Sequence, residues 1–191
     1  MTVPVWAEVQ LAVGGALRLA RGDRRGLGSF DASLEGFWRS FRAAAICYPM
    51  YLFLLSSRVT GAQWASAGWP TVIFVETIAY VIAWVAFPLL MLHIAHWLGR
   101  DHRFLAFMVA YNWSQIPQTA LLTIIGLDAA TGLLPPSLLR FAEVMATIAV
   151  LVYVWYIARV ALAVSGPQAV LIVAIDVVLG ITLGRVAQGL H

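Results

Sequence analysis

Between positions 70 and 98 the chain carries a single formally charged residue, Glu76. At ~1.5 Å per residue, a helix of this length exceeds the ~30 Å of hydrocarbon in a bilayer. A helix apolar on all sides cannot stand in water with only one face covered. The same pattern recurs at about 41–57, 104–126, 138–164 and 167–183. The sequence therefore predicts an all-α integral membrane fold of five transmembrane helices. Composition agrees: 62% of residues are hydrophobic, 11% are charged and the mean hydropathy is +0.86, where soluble domains carry roughly 25% charged residues.

Helix-breaking residues mark the boundaries. Pro70 suits the first turn of the second span, the polar stretch 99–103 separates the second and third, and Gly132, Pro135 and Pro136 lie in a loop expected at 127–137. Ser165, Gly166 and Pro167 make a turn tight enough to set the last two helices antiparallel, and a further loop is expected at 58–69. Pro49 predicts a kink near 45–48, and Pro88 and Pro117 also fall inside spans.

Ahead of the first span, residues 9–25 read as an interfacial amphipathic helix, with Val9, Val13, Leu17 and Ala20 as its apolar stripe and Arg18, Arg21, Arg24 and Arg25 as its charges. Gly14 and Gly15 each weaken it by about 1 kcal/mol relative to alanine. After a turn at 26–31, Asp31 or Ser33 is placed to cap a second helix, and Phe37, Trp38 and Phe41 stand beside Arg39 and Arg42 in the mixture typical of headgroup depth. Residues 1–40 thus form a cytoplasmic or interfacial segment, with the arginines 18, 21, 24, 25, 39 and 42 meeting lipid headgroups, and residues 41–191 form the transmembrane domain. Arg18 interrupts the first apolar stretch and no basic segment precedes it, so a cleaved signal peptide is not expected.

Orientation follows from charge. With the N-terminus inside, nine of the twelve arginines face the cytoplasm, and only Arg58, Arg140 and Arg185 fall outside. An odd number of spans then puts the C-terminus in the periplasm. Every basic residue is arginine and none is lysine, a bias we attribute to a GC-rich bacterial genome; the expected location is the bacterial inner membrane.

Several functions are disfavoured. The lone Cys47 rules out an internal disulfide. No basic patch interleaved with stacking aromatics points to nucleic acid, and no nucleophile elbow, phosphate loop or zincin motif points to catalysis or a cofactor. His93 and His96, three apart near His102 and Asp101, are too few to specify a metal and read as interfacial residues.

Ionisable and polar groups within the spans are the candidate site. Asp176 lies ~13 Å past Pro167, near mid-bilayer. Asn112 and Gln115 reach the same depth and are its expected partners; Glu76 sits at the level of Gln118 and Thr119. Gly180 and Gly184 follow Asp176 at four-residue spacing, a small-residue face expected to pack on another helix. Arg140 and Glu143 are spaced for an interfacial ion pair.

Three segments carry a family resemblance: FWRSFRAAAICYP, HWLGRDHRFLAFMVAYNWSQIPQTALL and VWYIARVALAVSGPQAVLIVAI. In these the chain resembles the Yip family (Ypt-interacting proteins) of five-span membrane proteins, in a bacterial form. The resemblance implies a cytoplasmic N-terminus and a C-terminus across the membrane. Eukaryotic members are implicated in vesicle traffic, Rab GTPase binding and membrane shaping, but this chain lacks the long soluble N-terminal domain that many of them use for partners. The leading expectation is a non-enzymatic scaffold, accessory or assembly subunit, or membrane-organising protein, in contact with the bilayer and a membrane-protein partner or further copies of itself. The alternative is a small transporter or channel subunit with its site at Asp176, Asn112 and Gln115.

Overall fold

The computed structural model describes residues 5–58 and 68–190, which are helical with short connections and, among the described residues, no strand. Among the described residues seven α-helices follow in order: α1 (Val5–Ala20), α2 (Leu34–Ser40), α3 (Arg42–Arg58), α4 (Trp69–Trp97), α5 (Phe104–Thr131), α6 (Pro136–Ala161) and α7 (Gly166–Gln188). Short 3₁₀ turns occupy Arg24–Ser29 and Asp101–Arg103. Most of the loop expected at 58–69 lies outside the described residues.

Helix ends follow local chemistry. Ser33 caps α2, its Oγ accepting from the Gly36 N–H at 3.0 Å, while Asp31 accepts from the Ser33 N–H at 3.0 Å. Pro70 and Pro136 occupy first turns, and Ser165 and Gln168 form a reciprocal capping box at α7. Helix α5 runs further than the 104–126 expected, to Thr131. It stops at Gly132, whose φ of +67° is left-handed and whose N–H donates to the Asp128 carbonyl. The helices run on through Pro49, Pro88 and Pro117.

Among the described residues three helices, α4, α6 and α7, are long and apolar enough to cross a membrane. They expose Phe74, Val81, Leu89, Phe141, Val152, Val178 and Ile181, among others; in water, so continuous an apolar surface would drive aggregation. Helix α5 is organised differently. It is the central post, with Phe107, Met108, Val109, Ala110, Tyr111, Asn112, Trp113 and Ser114 all buried in succession. Its polar groups lie against protein, which lowers its hydropathy without facing lipid. Around it pack α1, α2, α3 and α6, while α7 lies between α6 and α4. Trp113 belongs to this core and not to a headgroup belt.

The N-terminal segment is built into the same core. Val9, Ala12, Ala16 and Leu19 are the buried stripe of α1; Leu17 and Ala20, expected on that stripe, are exposed. Alanines win the inward face because they let α1 approach closely. Gly15 is where the 3₁₀ turn presses on α1: a Cβ there would stand 2.7 Å from Ser29 Cβ and 2.8 Å from the Gly26 carbonyl oxygen, whereas Gly14 faces open space. Two tyrosines of α6 pin the end of α1, Tyr153 donating to the Ala16 carbonyl at 2.6 Å and Tyr156 to the Gly22 carbonyl at 2.5 Å. The Ala16 carbonyl lies within the helical ladder and takes the Tyr153 phenol on its second lone pair, while the Gly22 carbonyl lies past the end of α1.

Candidate functional site

The polar residues inside the bundle do not form one mutual cluster; each has a partner that sequence depth alone did not identify. Asp176 Oδ1 accepts from the Tyr111 hydroxyl at 2.7 Å, in place of the expected bond from Asn112 or Gln115. Asn112, 1% exposed, donates through Nδ2 to Ser40 Oγ at 2.8 Å. Ser40 in turn donates to the Phe37 carbonyl, which fixes the direction of the Asn112 amide. Gln118 donates to the backbone carbonyl and hydroxyl of Ser114 one turn earlier. Glu76 Oε2 accepts from Tyr51 at 2.6 Å, and the neighbouring Thr77 meets Tyr48 at 2.6 Å. Tyrosines on α3 and α5 thus supply the hydrogen bonds to the two carboxyls. Their phenols were concealed in the sequence because they fall among apolar neighbours and count as aromatic.

What Asp176, Asn112 and Gln115 do share is a cavity. They line a space of about 240 Å³ with Cys47, Tyr80, Trp84, Phe87, Tyr111 and Thr119. A second space of about 210 Å³ continues along α7 past Glu76, Gly184 and Gln188. Tyr51, Tyr80, Ala83 and Gly180 border both. The two are neighbours between α3, α4 and α7, with α5 also lining the first. Their cause is local: α3 and α4 are joined by tyrosine reach, including a 2.7 Å bond from Tyr80 to the Ala44 carbonyl, and α7 presents glycine where a larger side chain would fill the space.

Gly180 and Gly184 accordingly correct an expectation. A Cβ at either would meet nothing within 4 Å, so no helix among the described residues packs closely on that face. The Arg140–Glu143 pair also does not form among the described residues; arginine preceding an acid is the less favourable order along a helix.

The arginines divide into two groups. Arg39 reaches Glu8 Oε1 at 3.0 Å and Glu35 Oε1 at 2.8 Å and also pairs with Asp31, while Arg42 reaches Glu8 Oε2 at 2.7 Å. These two are engaged by protein carboxylates. Arg18 pairs with Asp23 at 3.0 Å, and Arg21, Arg24 and Arg25 are exposed. The backbone N–H of Arg25, and then Arg18, hold the Asp23 carboxyl below its ordinary range. Ser33 side-chain and backbone donors, and then Arg39, do the same for Asp31.

Among the described residues no three His, Cys, Asp or Glu side chains gather as metal ligands. His96 Nδ1 meets Asp101 Oδ1 at 2.9 Å and His93 Nδ1 meets the Leu89 carbonyl at 2.9 Å. Comparison with family models, with curated proteins and with solved structures finds no match to this chain.

Proposed function

We propose that this chain is a five-span membrane protein that binds a small ligand within the bilayer, as a small transporter or channel subunit. The carrying observation is that Asp176, Asn112 and Gln115, on two different helices, line one cavity of about 240 Å³. Binding sites in membrane proteins are built where polar groups converge at mid-depth between helices. In this reading α3 and α5 complete the set of five spans. The 17 residues of α3 give ~25 Å of helix, and α5 turns its polar groups inward. The N-terminus and the cap formed by α1, the 3₁₀ turn and α2 are cytoplasmic, the C-terminus is periplasmic and the membrane is the bacterial inner membrane, as the arginine distribution and the Yip resemblance imply.

Proteoliposomes test the reading. Flux of monovalent cations above that of empty liposomes, lowered by Asp176→Asn, is the expected result. Equal flux with wild type, variant and empty liposomes would reject it.

A scaffold, accessory or assembly subunit is the second reading, favoured by Gly180 and Gly184, whose small-residue face the chain leaves uncovered. It requires a second membrane protein, or another copy, that copurifies in fixed ratio in mild detergent and is lost when Gly184 is changed to Leu.

A further inference from the structure

Residues 39 to 42 join the N-terminal cap to the cavity. The helix breaks there, α2 ending at Ser40 and α3 starting at Arg42. At the break the Phe41 N–H donates to the Trp38 carbonyl at 3.3 Å, and the Ala44 N–H donates to the Phe41 carbonyl at 2.9 Å. Both bonds span three residues, and a stretch of 3₁₀ turn inside a helical run is where such a run bends. The Phe37 carbonyl, which the Phe41 N–H would take in an unbroken helix, accepts the Ser40 hydroxyl at 2.6 Å.

Both residues at the break touch a wall of the cavity. Ser40 Oγ accepts from Asn112 Nδ2 at 2.8 Å, and Asn112 lines the space of about 240 Å³. The centroid of the Phe41 ring lies 6.4 Å from that of Trp84, another lining residue, and 5.3 Å from that of Phe37 on α2. Any swing of α2 about the break therefore pulls on Asn112 and Trp84 together. The two flanking residues share one carboxylate. Glu8 on α1 meets Arg39 Nε through Oε1 at 3.0 Å and Arg42 Nη1 through Oε2 at 2.7 Å, so its two oxygens straddle the break. The other acids paired with Arg39, Asp31 and Glu35, lie on the α2 side and leave the angle between α2 and α3 free. At 18% exposure the Glu8 side chain is mostly out of water, where charge-assisted bonds hold better than in an exposed pair. The angle is thus held by Glu8 from outside and by Asn112 from within.

We propose that the break at Phe41 is the hinge of a gate on this cavity, with Glu8 as its outer clasp and the Asn112–Ser40 bond as its inner one. With both clasps closed, α2 keeps the rings of Phe37 and Phe41 against Trp84 and shuts the cavity at the cap end; with either released, α2 swings and the cavity opens there. The inference rests on the reading of the cavity as a ligand site and names what controls entry to it.

The chain carries its own reporter. Cys47 lines the same cavity, is 2% exposed and is the only cysteine, so the rate at which its thiol is modified reads the open population. The test treats the full chain in nanodiscs with the water-soluble thiol reagent trimethylammonioethyl methanethiosulfonate and follows the mass of the intact protein. Glu8→Gln and Ser40→Ala should each raise the rate at least about fivefold, the population shift expected when one net interaction of the closed state is lost. Two further variants separate the hinge from a general loosening of the cap. Glu35→Gln removes an Arg39 pair that lies within α2, and Tyr156→Phe removes the bond to the Gly22 carbonyl, remote from the break; both should stay within about twofold of wild type. Should Glu8→Gln fail to fold, Ser40→Ala decides. An unchanged rate in either folded clasp variant would overturn the gate, and so would an equal rise in Glu35→Gln or Tyr156→Phe. The labelling needs no ligand, so it decides the hinge alone, and the flux measurement decides the wider reading.

Discussion

Gly14 and Gly15 are adjacent in one helix, yet alanine at the two positions should have opposite effects. Either substitution removes a glycine from a helix interior and so favours the folded state by about 1 kcal/mol. At Gly14 nothing opposes that gain, because the added Cβ meets no atom within 4 Å. At Gly15 the Cβ would meet Ser29 Cβ at 2.7 Å and the Gly26 carbonyl oxygen at 2.8 Å. Neither is the free end of a flexible side chain, so the 3₁₀ turn must move away from α1. Overpacking of this kind costs roughly 1–3 kcal/mol. The propensity gain is common to both variants, so the difference between them isolates the packing term at about 1–3 kcal/mol. For a chain of this size each kcal/mol moves the thermal midpoint by roughly 2–4 °C. Midpoints measured side by side in the same detergent should place Gly14→Ala above wild type and Gly15→Ala several degrees below Gly14→Ala. Equal midpoints for the two variants would refute the docking of the turn on α1.

Two further expectations follow from the connections between helices. Asp31 has its carboxyl lowered by Ser33 and Arg39, so its contribution to stability is complete above the unfolded value of 3.8 and is lost as pH falls through the lower folded value; the fall in thermal midpoint from about pH 6 to about pH 3 should be smaller in Asp31→Asn than in wild type, and an identical fall would remove the role given to this pair. Ala163, in the turn between α6 and α7, has a φ of +55°; Ala163→Gly should stabilise the protein by about 1 kcal/mol, read as a raised midpoint, and a lowered one would show that the Ala163 methyl contributes packing that outweighs its strain.

The sequence revealed axial position well and rotation about the helix axis poorly. Pro70 and the Ser165–Pro167 turn located helix starts to within a residue because capping is a local event, whereas Pro136, expected in the loop, opens α6. Depth counting put Asn112 level with Asp176, but Tyr111 is equally level and lies ~100° away around α5; only packing chooses which faces α7. The α1 stripe failed for the same reason. Val9, Val13 and Leu17 satisfy helical spacing as well as Val9, Ala12 and Ala16, and the decision belongs to the close approach of α5, a non-local fact. Glycine was misread more deeply. Small residues at four-residue spacing permit a tight helix contact or an open space, and Gly180 and Gly184 make the latter.

The clamps on α1 also set a constraint on biogenesis. Tyr153 lies 137 positions from the Ala16 carbonyl it holds, and Tyr156 lies 134 from Gly22. Helix α1 therefore waits through synthesis of α2 to α5 before α6 exists to fasten it. Until then it is tethered only by what the early chain provides, chiefly Glu8 meeting Arg39 and Arg42. The acidic residue in its first turns is thus an early mooring, and the clamp from α6 closes late.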